Sequence, residues 1–199
     1  MLAAKRDVFN HHYSPVTATH TVPGSPRRAE AESFVRSIFA RHYGARVAGF
    51  APNLMLLERN DEVIAATGWR PADGEQLFLE RYLDLPIEQA MARLANRNVR
   101  REHIVEVGNL AAEKPGSSIH VVLELAGHLD RLGYEWVVFT ATSELIGIFA
   151  RLGLPLLALA QADPDRLGAD AAAWGSYYDT GPIVVAGRIR AALERTRRA

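Results

Sequence analysis

Between residues 26 and 44, "PRRAEAESFVRSIFARHYG", apolar side chains recur at Ala31, Phe34, Val35, Ile38 and Phe39, the three- and four-residue steps of one helix face. Gly44 closes the run as a C-terminal glycine cap. The pattern then changes: "NLMLLERNDEVIAATGW" holds two strand-like runs around Arg-Asn-Asp, a hairpin. A second helix is predicted from Asp84 as N-cap, with Pro86 in its first turn and Ile87, Ala90, Met91, Leu94 and Ala95 on one face. Ile104, Val105, Val107 and Leu110 suit a buried strand. A third helix over 118–132 is apolar at Ile119, Val122, Leu123, Ala126 and Leu129 and closes at Gly133. "WVVFTAT" reads as a short strand, Ser143 as the cap of a fourth helix ending at Gly153, and "PIVVAG" as a last strand.

The order is helix, hairpin, helix, strand, helix, strand, helix, strand. Strands joined through a helix of about fifteen residues lie parallel with a right-handed crossover. The fold class is therefore α/β: one domain, a mixed central sheet flanked by helices, its second half a βαβα unit. Residues 1–25 form an N-terminal arm in which "VTATHTVPGSP" reads as a short edge strand and turn, and 26–199 form the domain.

Composition changes this picture little. Lys+Arg and Asp+Glu each number 23 in 199 residues, so no global field points to nucleic acid or an anionic membrane. The arginine-rich end, "IRAALERTRRA", reads as a solvated helix end. Cysteine is absent, which excludes disulfides, thiolate metal sites and cysteine nucleophiles and suits a cytoplasmic address. The most apolar window, "LGLPLLALA" at 152–160, contains a proline and is about half the length of a spanning helix. No metal site and no tightly bound cofactor are expected.

The chemistry concentrates at "EVGNLAAEKPGSS", residues 106–118. Gly116 followed by Ser117 and Ser118 at a helix start leaves backbone N–H groups unpaired in front of the positive helix end, a place that holds phosphate. A plain N-cap by Ser117 or Ser118 explains the serines as well.

From Ile104 to about Leu154 the chain resembles the core of GNAT acyltransferases, whose strand, pyrophosphate-binding turn [QR]-x-x-G-x-[GA], helix, strand and helix bind coenzyme A. Here the turn reads Glu113-Lys114-Pro115-Gly116-Ser117-Ser118, with Gly116 matched, Ser118 as the small last residue and glutamate in place of Gln or Arg. Over residues 30–190 it resembles the thermostable hemolysin family, a GNAT-like group related to acyl-homoserine-lactone synthases, in "LFLERYLDLPIEQAM", "IVEVGNLAAEKPG", "LGYEWVVFTAT" and "WGSYYDTGPIVVAG". The resemblance implies an acyltransferase that uses acyl-CoA or a phosphopantetheine thioester on an acyl carrier protein. Leu110, Ala111, Lys114, Gly116, Ser117 and Ser118 would hold that cosubstrate, and the acceptor would be a small amine. The family name equally suggests a membrane-active protein on the same scaffold.

Within this frame Glu106 is the candidate general base, since a desolvated carboxylate has a raised pKa suited to taking a proton from an amine. The other reading is a buried ion pair with Arg70 or Arg81. Strand alternation points Glu106, Gly108 and Leu110 one way and Val105, Val107 and Asn109 the other; a bulge at Gly108 would bring Asn109 toward Glu106 as its catalytic neighbour. At the position where many GNAT enzymes carry an acidic tyrosine, this chain has Phe149. Glu80 and Arg81 are read as an acceptor-pocket wall or as part of a helix start, and Tyr177 and Tyr178 as a tunnel border or an edge-strand turn. Arg97, Arg100 and Arg101 serve either as cations at a helix C-terminus or as a docking patch for a carrier protein or a coenzyme A phosphate.

Overall fold

Asn60 and Asp61, with φ of 53° and 64°, make the tight turn of the central hairpin. Asn and Asp tolerate the left-handed region and suit the twist of the strands they join. The computed structural model describes residues 15–196. The hairpin strands are β2 (Asn53–Arg59) and β3 (Glu62–Pro71), and β1 (Val16–Thr21) pairs antiparallel with β2 at the sheet edge. The first fourteen positions of the N-terminal arm lie outside the described residues. β4 (Ile104–Ala112) joins β3, and β5 (Trp136–Ala141) runs parallel to β4. β7 (Ile183–Arg188) and β6 (Leu156–Gln161) complete a seven-stranded sheet in the order β1-β2-β3-β4-β5-β7-β6. This is the mixed α/β sheet expected from the sequence, with its parallel β4–β5 crossover.

Helices cover both faces. α1 (Arg28–Tyr43) packs on Leu54, Leu56, Ala66 and Ala111, and α2 (Ile87–Ala95) covers the same face further along, over Ile104, Trp136 and Val184. α3 (Pro115–Arg131) and α5 (Ile189–Thr196) pack on Met55, Leu57, Ala65 and Val105 of the other face, where α4 (Ser143–Arg151) meets Phe139 and Val185. Leu54, Met55, Leu56 and Leu57 are each 0% exposed, because β2 has a helix over either side; hence its unbroken apolar run.

Several boundaries differ from the sequence reading. β6 was not expected: Pro155 ends the preceding turn, and the apolar run after it is an edge strand. Asp84 does not cap α2; Pro86 occupies the cap position, and the N–H of Ile87 donates to Glu80 Oε1 at 2.9 Å. Thr142, rather than Ser143, caps α4 by accepting from the N–H of Leu145 at 3.3 Å, while the Ser143 hydroxyl donates to Thr180 O. α3 begins at Pro115 with Lys114 at the cap position, so Ser117 and Ser118 lie inside its first turn. The C-terminal helix is not merely solvated, for Ile189 is buried against α3 and Leu193 packs beside it.

Candidate active site

β4 continues to Ala112 and β5 to Ala141, but their ladder covers only Ile104–Glu106 against Trp136–Val138. Beyond Glu106 the strands part. A cavity of about 630 Å³ runs through the gap. On the α3–α4 side its wall is apolar, with Val107, Val122, Leu125, Phe139 and Phe149; on the α1 side it carries Glu106, Arg70, Phe78, Tyr82, Trp174 and Tyr177. A pocket of several hundred Å³ with an apolar lining and a few convergent polar groups has the dimensions of a small-molecule site.

Glu106 stands at the point of divergence and is 7% exposed. Its carboxylate accepts from the N–H of Phe78 at 2.9 Å and of Leu79 at 2.8 Å, the first residues of a 3₁₀ turn, Phe78–Tyr82. Arg70 Nε lies 3.4 Å from Glu106 Oε2, whereas Arg81 pairs with Asp170 at 3.0 Å. Burial pushes the Glu106 carboxyl above the ordinary carboxylate range, and the two N–H groups and Arg70 oppose this without cancelling it.

The strand irregularity falls one residue later than expected. Gly68 pairs with Gly108 and Ala66 with Ala111, so the extra residue lies at 109–110 of β4, and Asn109 takes φ 52°. Leu110 therefore joins Val105 and Val107 toward α3, correcting its expected place on the Glu106 face. Asn109 Oδ1 accepts from the N–H of Ala51 at 2.9 Å. This bond ties β4 to the segment 45–52, whose residues from Arg46 to Ala51 form a cavity wall. The Arg28 guanidinium holds the same segment through the carbonyls of Ala51 and Pro52. A Cβ on Gly68 would come within 2.8 Å of Ala51 Cβ and 3.0 Å of Asn109 Oδ1, so the contact requires glycine there.

Tyr177 and Tyr178 both line the cavity. The hydroxyls of Tyr82 and Tyr178 are 2.5 Å apart, and Tyr177 donates to Thr140 O at 3.5 Å. Burial pushes the phenols of Tyr82 and Tyr177 well up, so they stay neutral donors. Trp174 sits at the centre of this wall, its ring 5.4 Å from Tyr177 and 5.8 Å from Phe78. At the opposite end Leu110, Lys114 and Ser118 line the cavity. Gly116 and Ser117 belong to the first turn of α3, and Ala111 is 1% exposed with its side chain in the core beneath α1.

Two groups of expected site residues are placed elsewhere. Glu80 is absent from the cavity wall: its oxygens accept from the N–H groups of Leu77 and Ile87 and from Arg101, so only Arg81 of that pair borders the cavity. Arg101 is held by Glu80, Glu88 and the carbonyl of Ala72, which removes it from the expected docking patch. Arg97 stacks on Trp136 and pairs with Glu135 at 3.3 Å; Arg100 lies exposed beside Glu102 and His103. Sequence reasoning missed the loop 45–52, Phe78 and Trp174. The glycine before Asn109 announced the bulge in β4, but no spacing in the sequence marked the loop that Asn109 holds, or Phe78 and Trp174, as cavity wall.

The fold as a whole is similar to that of solved acyl synthases. LasI, an AHL synthase, superposes with a TM-score of 0.60 at 10% identity, covering 88% of this chain and 91% of that one. TofI, solved in a ternary complex with an inhibitor and MTA, gives 0.58 at 16% identity over 89% and 96%, and FeeM, an N-acyl amino acid synthase from uncultured soil microbes, 0.58 at 12% over 90% and 94%. At these identities the likeness is one of fold. The fold is thus the mixed α/β fold of these synthases. The thermostable hemolysin family model matches residues 21–193, and the chain belongs to that family. No curated protein matches its sequence significantly.

Proposed function

We propose that this protein is an N-acyltransferase that moves an acyl group from a phosphopantetheine thioester to a small amine. The observation that carries the reading is the parting of β4 and β5 immediately beyond Glu106, with the cavity passing through the opening. The thioester lies in that opening, its phosphate end at the start of α3 near Lys114 and Ser118 and its acyl chain against Val122, Leu125 and Phe149. Strand amides beyond the end of the β4–β5 ladder orient the carbonyl. Glu106, desolvated and fixed by two N–H groups, takes the amine proton; nitrogen attacks the carbonyl carbon, the C–S bond breaks and the thiolate leaves. Phe149 offers no hydroxyl, so the thiolate leaves as an anion and takes its proton from water or from another donor in the cavity. Asn109 holds the loop wall rather than the reacting atoms. Arg97 and Arg100 remain the part of the basic patch able to meet an acidic carrier protein.

The test is thiol release from acyl-CoA and from carrier-bound acyl groups, followed with and without a panel of amines. Amine-dependent release with a matching amide product supports the reading, and no release from either donor overturns it. No helix among the described residues is long and apolar enough to cross a membrane.

A further inference from the structure

We propose that the acceptor is an α-amino acid with an aromatic side chain, a conclusion that rests on the transferase reading. Arg70 and Glu106 are direct partners in the β3–β4 ladder, both line the cavity, and their charged groups lie 3.4 Å apart. A cation and an anion side by side in a cavity wall match the two ends of a zwitterion. The acceptor carboxylate meets the guanidinium and its ammonium meets the carboxylate of Glu106. The other partner of Arg70, Glu75, has a side chain 57% exposed and is a weak competitor for the guanidinium.

The side-chain class follows from what adjoins this pair. Phe78, whose backbone N–H donates to Glu106, also lines the cavity. Trp174 lies 5.8 Å from Phe78, Tyr178 lies 6.3 Å from Trp174, and Tyr82 lies 6.1 Å from Phe78, all ring to ring. These four rings line the cavity, where a flat substituent gains offset or edge contacts on several sides. The proton count is consistent. The ammonium loses one proton to Glu106, the amine forms the C–N bond as the C–S bond breaks, and the second nitrogen proton reaches the thiolate through water, leaving amide and free thiol.

The experiment pairs each amino acid with its decarboxylated analogue: phenylalanine with phenethylamine and tyrosine with tyramine, alanine being the small control. Full-length protein and an acyl-CoA series are used, with amide formation and thiol release as readouts. Phenylalanine and tyrosine should exceed their amines in kcat/KM by about 10²-fold, because the amine forgoes the charge-assisted contact to Arg70. Alanine should fall about 10-fold or more below phenylalanine. Arg70→Gln should collapse the preference of phenylalanine over phenethylamine. Equal turnover of tyramine and tyrosine by the parent protein overturns the inference while leaving the transferase standing. Absence of transfer to every amine, with all donors, defeats the transferase reading and this inference together.

Discussion

Arg70 and Glu106 face each other across the β3–β4 ladder, yet the carboxylate is held more closely by backbone than by the guanidinium. The N–H groups of Leu79 and Phe78 lie at 2.8 and 2.9 Å, Arg70 Nε at 3.4 Å. Glu106 is thus neither a plain buried ion pair nor a free base. Two fixed N–H donors orient it, while the closer carboxylate partner of Arg70 is the largely exposed Glu75 at 2.9 Å.

The raised Glu106 pKa has opposite consequences for activity and stability. Folded Glu106 keeps its proton to a higher pH than the ordinary value of 4.5, so the native state binds more protons just above that pH. Stability contributed by this group therefore falls as pH rises through the window above 4.5, while kcat/KM rises as the base ionises. Glu106→Gln should flatten both limbs. A rate profile that descends across that window in the parent protein would contradict the assignment.

Glu80 behaves in the reverse sense. Burial raises its pKa, but hydrogen bonds from Arg101 and from the N–H groups of Ile87 and Leu77 outweigh this and bring it below 4.5. Its stabilisation is present above pH 4.5 and lost as pH falls through the lowered folded value. Glu80→Ala should cost about 3 kcal/mol, since it leaves a partly buried arginine and two N–H groups without their carboxylate. Chemical denaturation at neutral and acidic pH measures both effects, and the two proteins should converge in acid.

Asn109 should act through the loop wall. Asn109→Ala removes the acceptor for the Ala51 N–H and forces alanine into a left-handed backbone, a loss of about 1–3 kcal/mol. Asn109→Gly keeps the backbone but not the bond, so it should lose less stability and still raise KM for the amine. Gly68→Val should reproduce the KM effect by pushing Ala51 and Asn109 apart. Amine KM values equal to the parent's in all three variants would remove the loop from the site.

Donor binding is measurable without turnover. At a hundred times its Kd, coenzyme A or an acyl derivative should add about 2.7 kcal/mol to stability, a Tm rise of about 5–10 °C for a chain of this size. Gly116→Val, which adds a β-branched side chain at the start of α3, should erase the rise. An undiminished rise would move the phosphate away from that turn. Lysis of cells by a protein showing no thioester-dependent rise would favour the membrane-active alternative.

Helix faces, hairpin and parallel crossover were readable because each is a local period: Ile38 and Phe39 on α1, or the β-branched run from Val137, declare their element from a few neighbours. What failed was less local. Asp84 looked like a cap because Asp precedes Pro86, but the cap of α2 is made by Glu80, brought there by the turn at 78–82. Glu80 and Arg101 looked like surface chemistry and instead hold each other. Arg97 and Arg100 stayed at the surface because their partners are exposed. Trp174 and Phe78 were passed over since apolar rings carry no spacing that says cavity rather than core. Glu106 itself was legible because a carboxylate among Ile104, Val105 and Val107 needs a reason.

The central claim is that Glu106 is a base in a dry cleft, and one variant tests it. Glu106→Gln keeps one carbonyl oxygen for the N–H groups of Phe78 and Leu79 but cannot take a proton, so a modest fall in melting temperature is expected with donor-induced stabilisation intact. Single-turnover acyl transfer, measured beside the thermal shift on the same sample, should drop by about 10²- to 10⁴-fold. A Glu106→Gln protein that binds the thioester and transfers its acyl group at the parent rate would contradict the account.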